Sequence, residues 1–191
     1  MQAWVAWRED AAEWCQGKSW LWRGVVLLYL LYAGVRQFSN PEYGSVFSAI
    51  TFGLHELGHV LFSPCGEFLM VLGGSLTQVL APFITAILFL RQREYLGLSV
   101  AGSWLCFSLY NLALYVGDAR VMNLPLLGLS DDPLHDWNYL LSRMGMLTWD
   151  HPLAQILRLT GAAVWLTSIL WGTWLLWQMF RGASDLSDNS I

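Results

Sequence analysis

The chain has 191 residues, of which 55% are hydrophobic and 13% charged, with a formal net charge of -4 and a mean hydropathy of +0.44. Soluble domains carry about a quarter charged residues, so this composition predicts an integral, multi-pass membrane protein. The basic residues are scattered singly, which excludes a phosphate-tracking groove and with it a nucleic-acid partner. Cys15, Cys65 and Cys106 are widely spaced, with no C-x-x-C, and point to neither a disulfide framework nor a zinc ribbon.

Residues 1–20 mix Trp4, Trp7, Trp14 and Trp20 with Arg8, Glu9, Asp10, Glu13 and Lys18. This is an amphipathic, aromatic stretch rather than a secretory signal, and it predicts an interfacial helix leading into the membrane core. Leu21 to Phe38 is the first predicted span, with Arg23 and Arg36 placed to reach the headgroups from its ends. Asn40-Pro41 marks a turn, and Ser45 to Phe62 is the second span, stopped by Ser63-Pro64. Phe68 to Leu90 is apolar throughout but interrupted by Gly73-Gly74-Ser75 and Pro82, so it reads either as a third span or as a re-entrant segment around Gly73–Pro82.

Leu96 to Val116 is the fourth span and Leu153 to Phe180 the fifth, with Trp171, Trp174 and Trp177 forming an aromatic belt. Between them lies the longest polar stretch, Gly117 to His151, which holds Asp118, Asp131, Asp132, His135, Asp136 and Asp150. Ser184 to Ile191 reads as a polar tail. The expectation is therefore an all-α integral membrane protein of about five transmembrane helices. It forms one membrane-embedded domain, 1–191, with its transmembrane core over 21–183. The basic residues divide too evenly between the two sides to orient it.

The second span contains His55-Glu56-Leu57-Gly58-His59, an H-E-x-x-H motif. Helical residues four apart share a face, so both imidazoles can point at one metal while Glu56, about 100° round the helix from His55, flanks the open coordination position. Ionisable groups at hydrocarbon depth are costly unless paired or metal-bound, which makes this cluster a functional candidate with zinc as its cofactor. A catalytic zinc normally takes a third protein ligand. Asp118, just after the fourth span, is one candidate; His135, in His135-Asp136-Trp137, is its rival, and His151 is more distant.

With these residues the chain resembles the site-2 protease group of intramembrane zinc metalloproteases. That family pairs H-E-x-x-H in one membrane helix with an aspartate in a later one, following an asparagine and often preceding an arginine. Asn111, Asp118 and Arg120 look like that second element, and the segment from Gly73-Gly74 to Pro82 looks like the family's intervening glycine-containing stretch. The resemblance covers about Ser45 to Arg120. It implies zinc on His55 and His59, Glu56 as general base and Asp118 as third ligand. It further implies hydrolysis of peptide bonds in membrane-associated protein or peptide substrates within the lipid bilayer. The competing expectation is a non-catalytic metal-binding membrane protein that acts through partner helices or lipid.

Overall fold

Apolar runs bounded by glycine, proline and charged turns become helices throughout the described residues. The structure, a computed structural model, describes residues 2–40, 42–125 and 135–188. These form seven α-helices: α1 (Gln2–Cys15), α2 (Leu21–Ser39), α3 (Ser48–Phe62), α4 (Glu67–Arg91), α5 (Tyr95–Gly117), α6 (Asp136–Arg143) and α7 (Asp150–Asp188). Two single 3-10 turns, Ser63–Cys65 and Leu147–Trp149, join α3 to α4 and lead into α7. Among the described residues there is no strand, so the all-α expectation stands.

Three stretches are long and apolar enough to cross a membrane, within α4, α5 and Leu147–Gly182, in place of the five expected. The shortfall lies in the first two candidates. Helix α3 has only 15 residues; at about 1.5 Å per residue it falls short of a hydrocarbon core about 30 Å thick. Helix α2 is 19 residues long and carries both Arg23 and Arg36 within it. It nonetheless exposes an apolar stripe of Leu21, Val25, Leu28, Tyr32 and Val35. The alternative of a re-entrant break is not taken: α4 runs continuously through Gly73-Gly74-Ser75 and through Pro82. The expected polar tail begins inside α7, which continues to Asp188, and 189–191 lie outside the described residues. So do Asp131 and Asp132.

Helices α5 and α7 pack antiparallel along their lengths, from Ser99, whose hydroxyl donates to the Ser168 carbonyl at 2.8 Å, to Gly117, which faces Ala154. At one end of this pair α1 docks on α7. Trp7 stacks on Trp171 with ring centroids 4.3 Å apart, and Ala11 and Cys15 are buried with Tyr95, Leu175 and Met179. Helix α4 packs on the other flank of α5, and α3 packs on α4. The α3–α4 crossing is made backbone to backbone. A β-carbon on Gly58 would strike the Gly73 carbonyl oxygen, and one on Gly73 would come within 2.7 Å of the Gly58 carbonyl oxygen. Only glycine at both positions permits so close an approach. The crossing brings the metal-motif face of α3 against Gly74 and Gln78 of α4, one turn apart on a common face.

Candidate metal centre

His55 and His59 lie one turn apart on α3, with ring centroids 4.8 Å apart, so helical geometry alone aims them at the same point. Neither ring is free to rotate. His55 Nδ1 meets Gln78 Oε1 at 2.9 Å, and His59 Nδ1 meets the carbonyl oxygen of Met70 at 3.0 Å. A carbonyl oxygen only accepts, so His59 Nδ1 carries the proton. The Gln78 amide nitrogen is turned to the Ser108 carbonyl at 3.4 Å, which leaves its oxygen for His55 and puts a proton on that Nδ1 as well. Each imidazole therefore presents the lone pair of Nε2 to the space between the rings, the arrangement that outer hydrogen bonds impose on metal-binding histidines.

The third group in that space is Asp136, at the start of α6. Its Oδ2 lies 3.0 Å from His55 Nε2 and 3.3 Å from His59 Nε2, and its side chain is buried apart from a 9% remnant. His55, His59 and Asp136 are the one group among the described residues whose histidine, cysteine or carboxylate atoms converge closely enough to share a metal ion. Two nitrogen lone pairs and a carboxylate oxygen repel unless a cation lies among them, either protons or a metal. Ligand atoms about 2.0–2.1 Å from a tetrahedral zinc are separated by about 3.3 Å from each other, close to the two nitrogen-to-oxygen spacings here, and all three donor atoms lie within 4.8 Å of one another. Two histidines and one carboxylate supply three donors, one fewer than a closed structural zinc site uses.

Burial pushes the Asp136 carboxyl up, but when the Nε2 atoms carry protons the hydrogen bonds donated by His55 and His59, and the attraction of those charged rings, outweigh it and hold the carboxyl below the usual carboxylate range. It is thus ionised and ready to bind a cation at neutral pH. Glu56 is half-buried beside His55 and close enough to act electrostatically on both His59 and Tyr115.

Asp118 and His135 are not in this cluster; they bind each other. His135 Nδ1 caps α6 by accepting the Asn138 N–H at 3.2 Å, so its Nε2 carries the proton and donates to Asp118 Oδ2 at 3.3 Å. Asp118 also accepts the backbone N–H groups of Asn123 and Leu124, each at 3.0 Å. With its oxygens so occupied, Asp118 organises the turn after α5 and holds the His135 cap, and the cap in turn presents Asp136. Further anchors fix α6: the Asp136 N–H donates to the Tyr115 hydroxyl at 2.9 Å, Trp137 Nε1 to Ser75 Oγ at 3.0 Å and Asn138 Nδ2 to the Ala119 carbonyl at 2.8 Å. Arg120, beyond Asp118, is drawn away to the fully buried Asp150 at 2.6 Å. His151, at the start of α7, takes no place among the three converging groups.

Sequence reasoning did not single out Asp136, Gln78 or Tyr115 as site residues. A glutamine inside an otherwise apolar run, one turn after a glycine, is the signal that marks the face of α4 against the motif. Asp136 sits next to the rival candidate His135, but nothing local distinguishes the two. No family model, no curated protein and no solved structure matches the chain.

Proposed function

We propose that the protein is a zinc-dependent metallopeptidase of the membrane, with His55, His59 and Asp136 as metal ligands and Glu56 as general base. The observation that carries the reading is the convergence of two Nε2 lone pairs, fixed by their Nδ1 hydrogen bonds, on an ionised buried carboxylate. Zinc held there would polarise a peptide carbonyl and ease deprotonation of water. The remaining chemistry belongs to the chain. Glu56 takes a proton from water as the water oxygen forms its bond to the carbonyl carbon. The same carboxylic acid then returns that proton to the amide nitrogen as the C–N bond breaks, giving an amine and a carboxylic acid, which ionises on release to water. Buried surroundings strengthen these electrostatic interactions relative to water.

Membrane-associated substrates follow from the three span-capable helices and from the apolar residues flanking the motif. Ile50, Phe52, Leu57, Val60 and Leu61 of α3 all face outward. A substrate helix must unwind before cleavage, because helical carbonyls are already hydrogen-bonded. The test is metal content and cleavage by the purified protein in detergent or proteoliposomes, with a panel of single-span substrates. One zinc per chain, with cleavage that Glu56→Gln stops without releasing the metal, is the expected result. Stoichiometric zinc with no cleavage across the panel would instead favour a binding protein that keeps a metal site.

A further inference from the structure

We propose that the Tyr115 hydroxyl is a further catalytic residue, donating a hydrogen bond to the carbonyl oxygen as negative charge builds on it; this rests on the metallopeptidase reading. Tyr115 lies in the last two turns of α5, half-buried, with its ring 4.5 Å from His135 and 6.1 Å from His55, centroid to centroid. Its oxygen receives the backbone N–H of Asp136, the metal-ligand residue, at 2.9 Å. That bond uses a lone pair and leaves the O–H proton unspent.

Around it, the polar hydrogens of the site are committed. Both histidine Nδ1–H groups go to Gln78 and Met70, the His135 Nε2–H goes to Asp118 and the Trp137 indole N–H to Ser75. Among the described residues the Tyr115 O–H meets no acceptor. Half-buried donors ordinarily find one. A donor held beside the reacting centre, with its acceptor arriving only with substrate, stabilises charge that develops during the reaction and none that precedes it. As water adds to the carbonyl carbon, the carbonyl π pair moves onto oxygen and accepts this O–H. When the C–N bond breaks, the pair returns to carbon and the phenol keeps its proton.

A purely structural Tyr115 would do no more than cap the first turn of α6, and Tyr115→Phe separates the two roles. The variant keeps the ring and its packing, and the Asp136 N–H can turn to water as a first-turn amide. The expected result is zinc affinity within about threefold of wild type and KM little changed, with kcat reduced about a hundredfold, the size of effect seen when one oxyanion donor is lost. A second arm needs no turnover. A phosphinic dipeptide, whose tetrahedral anion mimics the transition state, is titrated into cobalt-substituted protein and followed by the visible absorption of the metal, beside a simple thiol that binds metal alone. Tyr115→Phe should weaken the phosphinic dipeptide at least about tenfold and leave the thiol unchanged.

Equal affinity of both proteins for the phosphinic dipeptide would overturn the assignment. So would loss of zinc in proportion to loss of activity, which is the signature of a cap. A wild-type protein that holds zinc but cleaves nothing sinks the peptidase reading on its own, while the phosphinic arm still decides whether the hydroxyl addresses an anion on the metal.

Discussion

Gly74→Ala tests the centre through a residue that binds nothing. A β-carbon at position 74 would stand 2.7 Å from His59 Nε2 and 2.8 Å from both His55 Nε2 and His59 Cε1. Ordinary contact begins near 3.4 Å, so one or both rings must retreat by about 0.7 Å, whereas metal sites tolerate errors of about 0.2 Å. The tips of side chains usually yield cheaply. These two do not, because each ring is held at its far nitrogen by Gln78 or Met70, and swinging Nε2 away breaks that hydrogen bond. Disturbing the outer partners of a metal ligand typically lowers affinity about 10- to 100-fold, and here both rings are disturbed together, so at least about a hundredfold loss of zinc affinity is expected.

The metal-free helix should not suffer from the helix-propensity change, since alanine gains about 1 kcal/mol over glycine in a helix interior. The assay is competition with a chromophoric chelator, paired with thermal unfolding in the presence and absence of zinc. At a free zinc concentration a hundred times Kd, binding adds about 2.7 kcal/mol to the wild type, and a hundredfold weaker variant loses nearly all of it. Gly53→Ala, on the same helix as the motif with open space around it, is the matched control and should bind zinc normally. Wild-type affinity in Gly74→Ala would refute the convergence of the two Nε2 atoms.

Asp136→Asn should reduce zinc affinity more than Asp118→Asn or His135→Ala, because the first removes a ligand and the others only loosen the helix that presents it; chelator competition on the three variants ranks them, and an Asp118 variant that loses the metal most would return that residue to the centre. Glu56→Gln is expected to retain zinc and to lower kcat by about 10²- to 10⁴-fold, read as metal content beside cleavage rate. The pH dependence has a definite sign. Asp136 is held below its ordinary value, so its contribution to stability is present above about 3.9 and lost only as pH falls through the lower folded value. Zinc must also displace the proton from His59, which the hydrogen bond to Asp136 holds above the ordinary imidazole value, so affinity should fall about tenfold per unit as pH drops through that raised value. A flat profile between pH 7 and 5 in equilibrium dialysis would argue against histidine ligation.

The part of the centre that lies within one helix was legible in the sequence, because a four-residue spacing on a helix fixes which side chains meet. His55 and His59 are of that kind. The carboxylate that meets them was not, because Asp118, His135 and Asp136 all follow the same helix and differ only in what the folded chain does with them. The turn amides of Asn123 and Leu124 claim Asp118, and a histidine takes the capping place usually held by Ser, Thr, Asp or Asn. The helical class was equally plain, while the number of spans was overcounted. Hydropathy near the motif reads the residues before Ser48 as part of the helix, but Ser45–Phe47 forms a turn and shortens α3. The glycines that suggested a break in α4 serve instead to bring α3 close.

The two halves of the centre are fastened in different ways. Separating α3 from α4 would pull apart a glycine-to-glycine seam running the width of both helices, and the two imidazoles move with that seam as one rigid block. Helix α6 has eight residues; Leu140 and Leu141 at its far end are buried in the core, while its Asp136 end is held by side-chain hydrogen bonds, each worth about 1 kcal/mol net. Were the Asp136 end of α6 to lift, the carboxylate would depart while both nitrogens stayed with α3, and a cation shared among the three groups would oppose that parting.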